Sequence, residues 1–180
     1  MKCNIFFSLI ILLGLLFSCT DVRKNEMRSL VKSWNGRKII FPKDVIFTSN
    51  GKDMIDYSFQ SQYKILTYVD SLGCISCKLK LPQWQEFIDS IENLQVKFLF
   101  FFSPLKKADA LNAVSISNFT YPICIDEKDS LNKLNHFSSD ERFQTFLLDK
   151  DNKVVAIGNP VHNPKVKELS LIHISEPTRH

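Results

Sequence analysis

The sequence lacks a long basic run and a long apolar run. Its 23 Lys and Arg residues face 19 Asp and Glu residues, a net charge of +4, and no Arg-rich stretch with interleaved aromatics occurs, which excludes a nucleic-acid partner. The apolar segment from Ile5 to Phe17 is shorter than the roughly 20 residues of a membrane-spanning helix. With no internal repeat or low-complexity stretch, the chain predicts one globular domain preceded by a targeting segment.

The first 18 residues have the pattern of a secretory signal peptide, with a positive charge at Lys2, the apolar segment and a small residue at Ser18. Leu16-Phe17-Ser18-Cys19 resembles the lipobox of bacterial lipoproteins, which implies that Cys19 is lipidated and becomes the first residue of the mature protein. Residues 19–33 are polar and charged and predict a tether. We therefore expect an exported protein, anchored by lipid to a bacterial membrane and facing the periplasm. A plain signal peptide or an uncleaved anchor would also export the domain.

Cysteine is too scarce for a disulfide framework. Cys3 and Cys19 lie before the predicted domain, which leaves Cys74, Cys77 and Cys124. A framework would use an even number at wide spacing, and a bridge between Cys74 and Cys77 would contribute only about 2 kcal/mol. The Cys74-Ile-Ser-Cys77 spacing therefore indicates redox or metal chemistry.

The third cysteine of the domain lies in an apolar, strand-like run from Tyr121 to Asp126. We expect Cys124 to be a buried hydrophobic side chain, with a resolving or regulatory thiol as the alternative. Zinc is a poor fit, because His136 and His162 are isolated and no second ligand pair exists. No metal and no cofactor is predicted.

From residue 63 onwards, strand-like and helix-like segments alternate. The predicted strands are Tyr63–Asp70, Val96–Phe102, Tyr121–Asp126, Thr145–Leu148 and Lys153–Ile157; the predicted helices run over 77–94, 103–117 and 129–135. This order predicts an α/β domain over residues 34–172, with a mixed, mostly parallel central sheet, flanking helices and a closing hairpin. Short strand-like segments before residue 63, with a turn at Ser49 to Lys52, predict an N-terminal β extension.

The position of the two cysteines predicts a reactive pair. Cys74 falls at a strand-to-helix turn, where a helix N-terminus contributes up to about 2 kcal/mol, or roughly 1.5 pKa units, towards the thiolate. Ser76 and Lys78 could lower the pKa further, and Cys77 lies one turn later, within reach to resolve a mixed disulfide.

Cys74-Ile-Ser-Cys77-Lys78, with Pro82 five residues after the second cysteine, resembles the active-site segment of the thioredoxin superfamily, particularly its membrane-anchored periplasmic thioredoxin-like and redoxin members. The resemblance implies a thioredoxin-like three-layer sandwich and a thiol-disulfide oxidoreductase. It also implies that Cys74 is the nucleophile, that Cys77 is the resolving thiol, and that Pro82 bends the helix behind them. Disulfide-bearing protein clients or a redox partner are the expected partners.

Two positions depart from the family pattern. The family has a cis-proline before the strand that begins here at Thr145, where this chain has Phe143 or Gln144. The family also often has a buried acid six residues before the first cysteine, where this chain has Tyr68. We expect Asp70 to serve as a displaced proton acceptor, with a solvated or salt-bridged Asp as the alternative.

Two other functions stay open. Ser71, three residues before Cys74, is typical of a peroxiredoxin, although Thr67 replaces the proline of that family. A non-catalytic lipoprotein that binds copper or a partner is the second alternative, suggested by the missing cis-proline. Copper carriers on this fold, however, separate their cysteines by three residues and add a distal His.

The C-terminal end loses its helical pattern. An amphipathic helix starts at Pro164, but the stretch from Leu171 to His180 resembles translations across cloning or assembly junctions. We predict that residues 173–180 are a non-native tail and that the native helix is truncated, and we assign no function to His173 or His180.

Overall fold

The computed structural model describes residues 22–49, 52–54, 57–71, 80–91 and 96–175, and the chain divides into two units, residues 1–35 and 36–180. In the first unit, residues 22–34 form helix α1. The sequence analysis predicted only a polar tether here. The segment contains neither Pro nor Gly and is rich in good helix formers such as Lys, Arg, Glu and Leu, which accounts for the helix.

The second unit is built on a seven-stranded sheet of order β2-β1-β5-β4-β3-β6-β7. The strands are β1 Phe47–Ser49, β2 Lys52–Met54, β3 Tyr63–Val69, β4 Val96–Phe102, β5 Ile123–Ile125, β6 Thr145–Asp149 and β7 Val154–Ile157. Strands β3, β4 and β5 are parallel, whereas the pairings of β1 with β2 and β5, and of β6 with β3 and β7, are antiparallel. The sheet is mixed as predicted, but its parallel part is confined to the three central strands.

The predicted N-terminal β extension is the β1–β2 hairpin. It pairs with β5 and so extends the main sheet, whereas the stretch around Lys38 makes only a single bridge, to Lys153.

Among the described residues of this unit there are four α-helices. They are α2 Leu81–Ser90, α3 Lys107–Ile116, α4 Ser130–Asn135 and α5 Pro164–Ser175, with a short 3₁₀ helix at Glu141–Phe143. Residues of α2, α3 and α5 pack on one face of the sheet around Trp84, Phe98 and Phe100. On the other face, Phe137, just after α4, contacts the rings of Tyr68 and Phe146. These two helical layers around the sheet confirm the predicted thioredoxin-like sandwich.

The alternation of β4 explains why both faces are apolar. Phe98, Phe100 and Phe102 belong to the cluster under α2 and α3, while Phe101 contacts the rings of Phe41 and Phe47 on the opposite face. Since each fully buried Phe contributes about 1.5–3 kcal/mol, this strand anchors the sheet to both layers.

Two helix ends differ from their predictions. The helix expected from Ser103 begins at Lys107, because the Ser103 N–H donates to the Val69 carbonyl over 2.8 Å and so prolongs the strand ladder. Helix α5 continues to Ser175, with Ser170 and Ile174 buried, although its sequence pattern fades earlier. Within the described residues, no helix is both long and apolar enough to cross a membrane.

Candidate active site

The two cysteines of the motif, with Ser76 and Lys78, fall in residues 72–79, outside the described residues. The structure describes the residues on either side of this segment. Strand β3 ends at Val69, Ser71 is the last described residue before the motif, and Lys80 is the first after it. In sequence, the motif therefore follows the carboxyl end of β3, one of the three parallel strands. The carboxyl ends of the strands form the edge where open α/β sheets bind their ligands.

A cavity of about 420 Å³ lies at this edge. Its walls come from the segments that follow the three parallel strands and from the start of β6: Tyr68, Asp70, Ser71, Ser103, Pro104, Glu127, Asp129 and Gln144 among others. Ser71, three residues before Cys74 in the sequence, thus lies at the wall of a polar cavity. Three carboxylates line it, and no described residue that lines it is basic.

Tyr68 occupies the position where the resemblance leads one to expect an acid. Its hydroxyl donates to Asp129 Oδ1 over 2.7 Å, and Asp129 Oδ2 accepts from the Asn132 side chain over 2.9 Å. Burial, followed by the hydrogen bond and charge of Asp129, raises the pKa of Tyr68 well above its ordinary value, so the phenol keeps its proton. The site therefore does contain a carboxylate, that of Asp129 in the segment after β5, and it is hydrogen-bonded to the Tyr68 hydroxyl.

Asp70, the predicted proton acceptor, also lines the cavity. Its Oδ2 accepts from Gln144 Nε2 over 3.1 Å, and the same nitrogen donates to the Ser138 carbonyl over 2.9 Å. The hydrogen bond fixes this carboxylate against the start of β6. Gln144 is thus one partner that positions Asp70 at the wall of the cavity.

Gln144 stands directly before β6 and is, with Phe143, one of the two candidates for the position where the family has its cis-proline. The residue is buried, its carbonyl accepts from the Tyr68 N–H over 2.9 Å, and its own N–H donates to the Glu141 carbonyl. Phe143 lies one residue earlier, in the 3₁₀ helix, and Thr145 is the buried first residue of β6 opposite Thr67. No described peptide bond is cis. The start of β6 is instead fixed by hydrogen bonds of the Gln144 side chain and main chain.

Pro82 differs from its predicted setting. Lys80 has a left-handed backbone (φ 40°, ψ 46°) and is the N-cap of α2, so Pro82 lies in the first turn of a helix that begins at Leu81. The N–H groups of a first turn have no partner within the helix, so a proline there removes no hydrogen bond. Pro82 therefore lies at the start of α2, and the helix that contains it does not continue back through Lys80.

Cys124 is buried in β5, as predicted, with only 3% of its surface exposed. Burial, with a smaller contribution from Asp126, raises the pKa of its thiol to about 12. Cys124 is thus almost entirely protonated at neutral pH. Cys19 lies outside the described residues, and within those described no group of three His, Cys, Asp or Glu side chains could hold a metal ion.

Sequence reasoning missed Asp129 and Asn132. Asp129 follows a predicted strand by three residues, and the carboxyl ends of parallel strands meet at one edge, so this signal was available. The left-handed backbone of Asp129 (φ 53°), which helps place its carboxylate under Tyr68, was not foreseen.

No family model and no curated protein matches the sequence. Solved structures do resemble the fold. The thioredoxin domain of a thiol-disulfide oxidoreductase from Bacteroides vulgatus aligns with a TM-score of 0.57 at 13% identity over 76% of this chain and 97% of its own. StoA from Bacillus subtilis aligns with a TM-score of 0.52 at 24% identity over 72% and 96%.

Peroxiredoxin Q from Xanthomonas campestris aligns with a TM-score of 0.57 at 11% identity, over 80% of this chain and 100% of its own. Identities this low concern the fold alone. Together with the sheet order and the two helical layers, these likenesses show that the chain has the thioredoxin-like fold, which it shares with thiol-disulfide oxidoreductases of the thioredoxin superfamily.

Proposed function

We propose that this protein is a thiol-disulfide oxidoreductase that acts through Cys74 and Cys77 on disulfides of protein or small-molecule clients. The observation that carries the proposal is that Ser71, three residues before Cys74 in the sequence, lies at the wall of the polar cavity on a thioredoxin-like fold. Two closely spaced cysteines that follow a strand ending at a ligand-binding edge fit exchange chemistry better than they fit a structural bridge.

In the reducing direction, the Cys74 thiolate attacks one sulfur of the client disulfide and forms a mixed disulfide. The other client sulfur leaves as a thiolate and takes up a proton. Cys77 then loses its proton and attacks the Cys74 sulfur, which forms the Cys74–Cys77 disulfide and releases the second client thiol. Two electrons pass to the client, and the reverse sequence oxidises a dithiol.

Trapping tests the assignment of the two thiols. Replacing Cys77 by Ser should leave client proteins covalently bound to Cys74, because no second thiol resolves the mixed disulfide, whereas Cys74→Ser should trap none. Non-reducing gels of cells that express each variant, after acid quenching and alkylation, measure the adducts. Equal trapping by both variants, or by neither, would contradict the assigned roles.

We further propose that the proton of Cys77 passes to a carboxylate of the cavity. Asp129, through the Tyr68 hydroxyl, supports this role because the pair lies at the end of β3 and is held by two hydrogen bonds. The hydroxyl can accept from the thiol while giving its own proton to the carboxylate, so Tyr68 need never ionise. Asp70, fixed by Gln144, is the second candidate.

Asp129→Asn and Tyr68→Phe should each slow resolution of the mixed disulfide by about 100-fold, the lower end of what a positioned proton-transfer group contributes. The loss should shrink as pH rises, because hydroxide then removes the thiol proton. Stopped-flow decay of a mixed disulfide, followed from about pH 6 to 9, measures the rate.

Glu127→Gln is the matched control, because Glu127 lines the same cavity with an exposed side chain, whereas the Tyr68 hydroxyl donates to Asp129. An equal loss in this control would mean that only the net charge of the cavity matters. A loss confined to Asp70→Asn would transfer the role to Asp70.

Peroxide reduction is a second candidate function. Ser71 stands three residues before Cys74, as in peroxiredoxins, and the fold also aligns with a peroxiredoxin. Rapid consumption of hydrogen peroxide by the purified, reduced protein, with little disulfide reductase activity, would favour this function.

We also propose that the protein is exported and lipid-anchored through Cys19. The support is the signal-like segment and the lipobox-like ending before that residue. Radiolabelled palmitate should be incorporated by the wild-type chain and not by Cys19→Ser; equal labelling would overturn the anchor.

A further inference from the structure

A second cavity, of about 500 Å³, lies at the opposite end of β3 from the candidate active site. Lys64, the second residue of β3, lines it, whereas Asp70 follows the last residue of that strand. The two positions are six residue steps apart along the strand, a distance of about 20 Å. The cavity is therefore a site of its own.

One part of the cavity wall is aromatic and fixed. Phe41, Tyr57 and Phe59 line it, and each ring is held by neighbours: Phe41 and Phe59 lie 5.0 Å apart, and Tyr57 stacks on Phe47 at 4.2 Å. The Tyr57 hydroxyl also donates to the Phe98 carbonyl over 3.0 Å. This wall is preformed and offers flat apolar surface to a ligand.

The rest of the wall is cationic. Lys43, Lys64 and Lys150 line the cavity together with the amides of Gln60 and Asn152, and none of the described lining residues is acidic. Lys150 is exposed and already paired with Asp151 over 3.2 Å, so Lys43 and Lys64 are the cations left to face a ligand.

Lys64 is unusual because it is only 2% exposed. Its ammonium donates to the carbonyls of Asp149 and Lys150, each over 3.0 Å, and an ammonium has three donors. No carboxylate accepts from it among the described residues. Burial lowers its pKa, against the opposing charges of Asp149 and Asp151, so an anion in the cavity would offset a cost that the folded chain now bears.

From the fixed aromatic wall beside a buried ammonium we infer that this cavity is a binding site for a small organic anion with a flat apolar body, such as an aromatic phosphate or carboxylate. Its volume lies within the range of about 300–1,000 Å³ typical of small-molecule sites. The apolar body would contact Phe41 and Phe59, and the anionic group would accept from Lys64 and Lys43. The inference does not rest on the proposed exchange reaction.

Calorimetric titration of the full-length chain in a nonionic detergent tests the site, with phenyl phosphate as the probe. We expect phenyl phosphate to bind saturably at one site. Inorganic phosphate, which lacks the ring, and benzyl alcohol, which lacks the charge, should each bind at least tenfold more weakly. Lys64→Met should weaken phenyl phosphate binding at least tenfold and Lys43→Met by less. Lys107→Met, an exposed lysine of α3, is the control and should change nothing.

Lys64→Met also removes two hydrogen bonds to a turn and could therefore alter the local structure. A second measurement therefore uses the wild-type chain. Phenyl phosphate should shift the side-chain amide NMR signals of Gln60 and Asn152 in a saturable way. Absence of saturable binding at millimolar concentrations, unchanged affinity in Lys64→Met, equal binding of benzyl alcohol, or shifts confined to other residues would each overturn the inference.

Discussion

Replacing Cys74 by Ser should lower the disulfide reductase activity to the uncatalysed background, whereas replacing Cys124 by Ser should leave it within about twofold of wild type. The nucleophile in exchange is the thiolate, and a serine hydroxyl cannot form a mixed disulfide. Insulin reduction in the presence of a dithiol, followed by turbidity, measures the activity. The comparison separates the reactive thiol from a thiol that is merely present.

The expectation for Cys124 follows from its burial. With its pKa raised to about 12, only about one thiol in 10⁵ is ionised at pH 7. Its side chain is also 3% exposed, so a client sulfur cannot reach it without opening the sheet. Normal activity of Cys74→Ser, or loss of activity in a folded Cys124→Ser, would contradict this assignment of the thiols.

Much of the fold could be predicted because the pattern of apolar residues in the sequence shows which segments are buried in the sheet. Strand β4 has the predicted bounds, Val96–Phe102, since its apolar run is continuous and buried on both faces. The Ser103-Pro104 pair, in contrast, is typical of a helix start but also occurs in segments that are not helical. A hydrogen bond from Ser103 to Val69, far away in sequence, delays the helix until Lys107.

The candidate site was less predictable, because its side chains meet through contacts between distant segments. Asp70 was identified from its place near the motif, but its partner Gln144 is 74 residues away. The Tyr68–Asp129 pair spans 61 residues, and depends on a left-handed backbone at Asp129. Sequence pattern indicates which edge of the sheet is functional, and tertiary contacts determine which carboxylate lies there.

Trp84→Ala should destabilise the protein by about 3–5 kcal/mol, the typical cost of truncating a large aromatic side chain in a core. Trp84 is fully buried, and its ring contacts Phe87, Phe98 and Phe100 at centroid distances of 5.8, 6.3 and 5.2 Å. No neighbour in this rigid aromatic cluster can fill the space. Thermal unfolding should show a midpoint lower by on the order of 10 °C for a chain of this size.

Trp84→Ala should also disturb the placement of the segment that carries Cys74 and Cys77. Trp84 lies in the first turn of α2, four residues after the N-cap Lys80, which follows that segment in the sequence. Trp84→Phe keeps an aromatic ring and should retain most of the stability. Ile116→Ala, at a side chain that is 84% exposed, should stay within about 0.5 kcal/mol of wild type. An equal loss in Ile116→Ala, or an unchanged midpoint in Trp84→Ala, would show that the aromatic cluster does not hold α2 to the sheet.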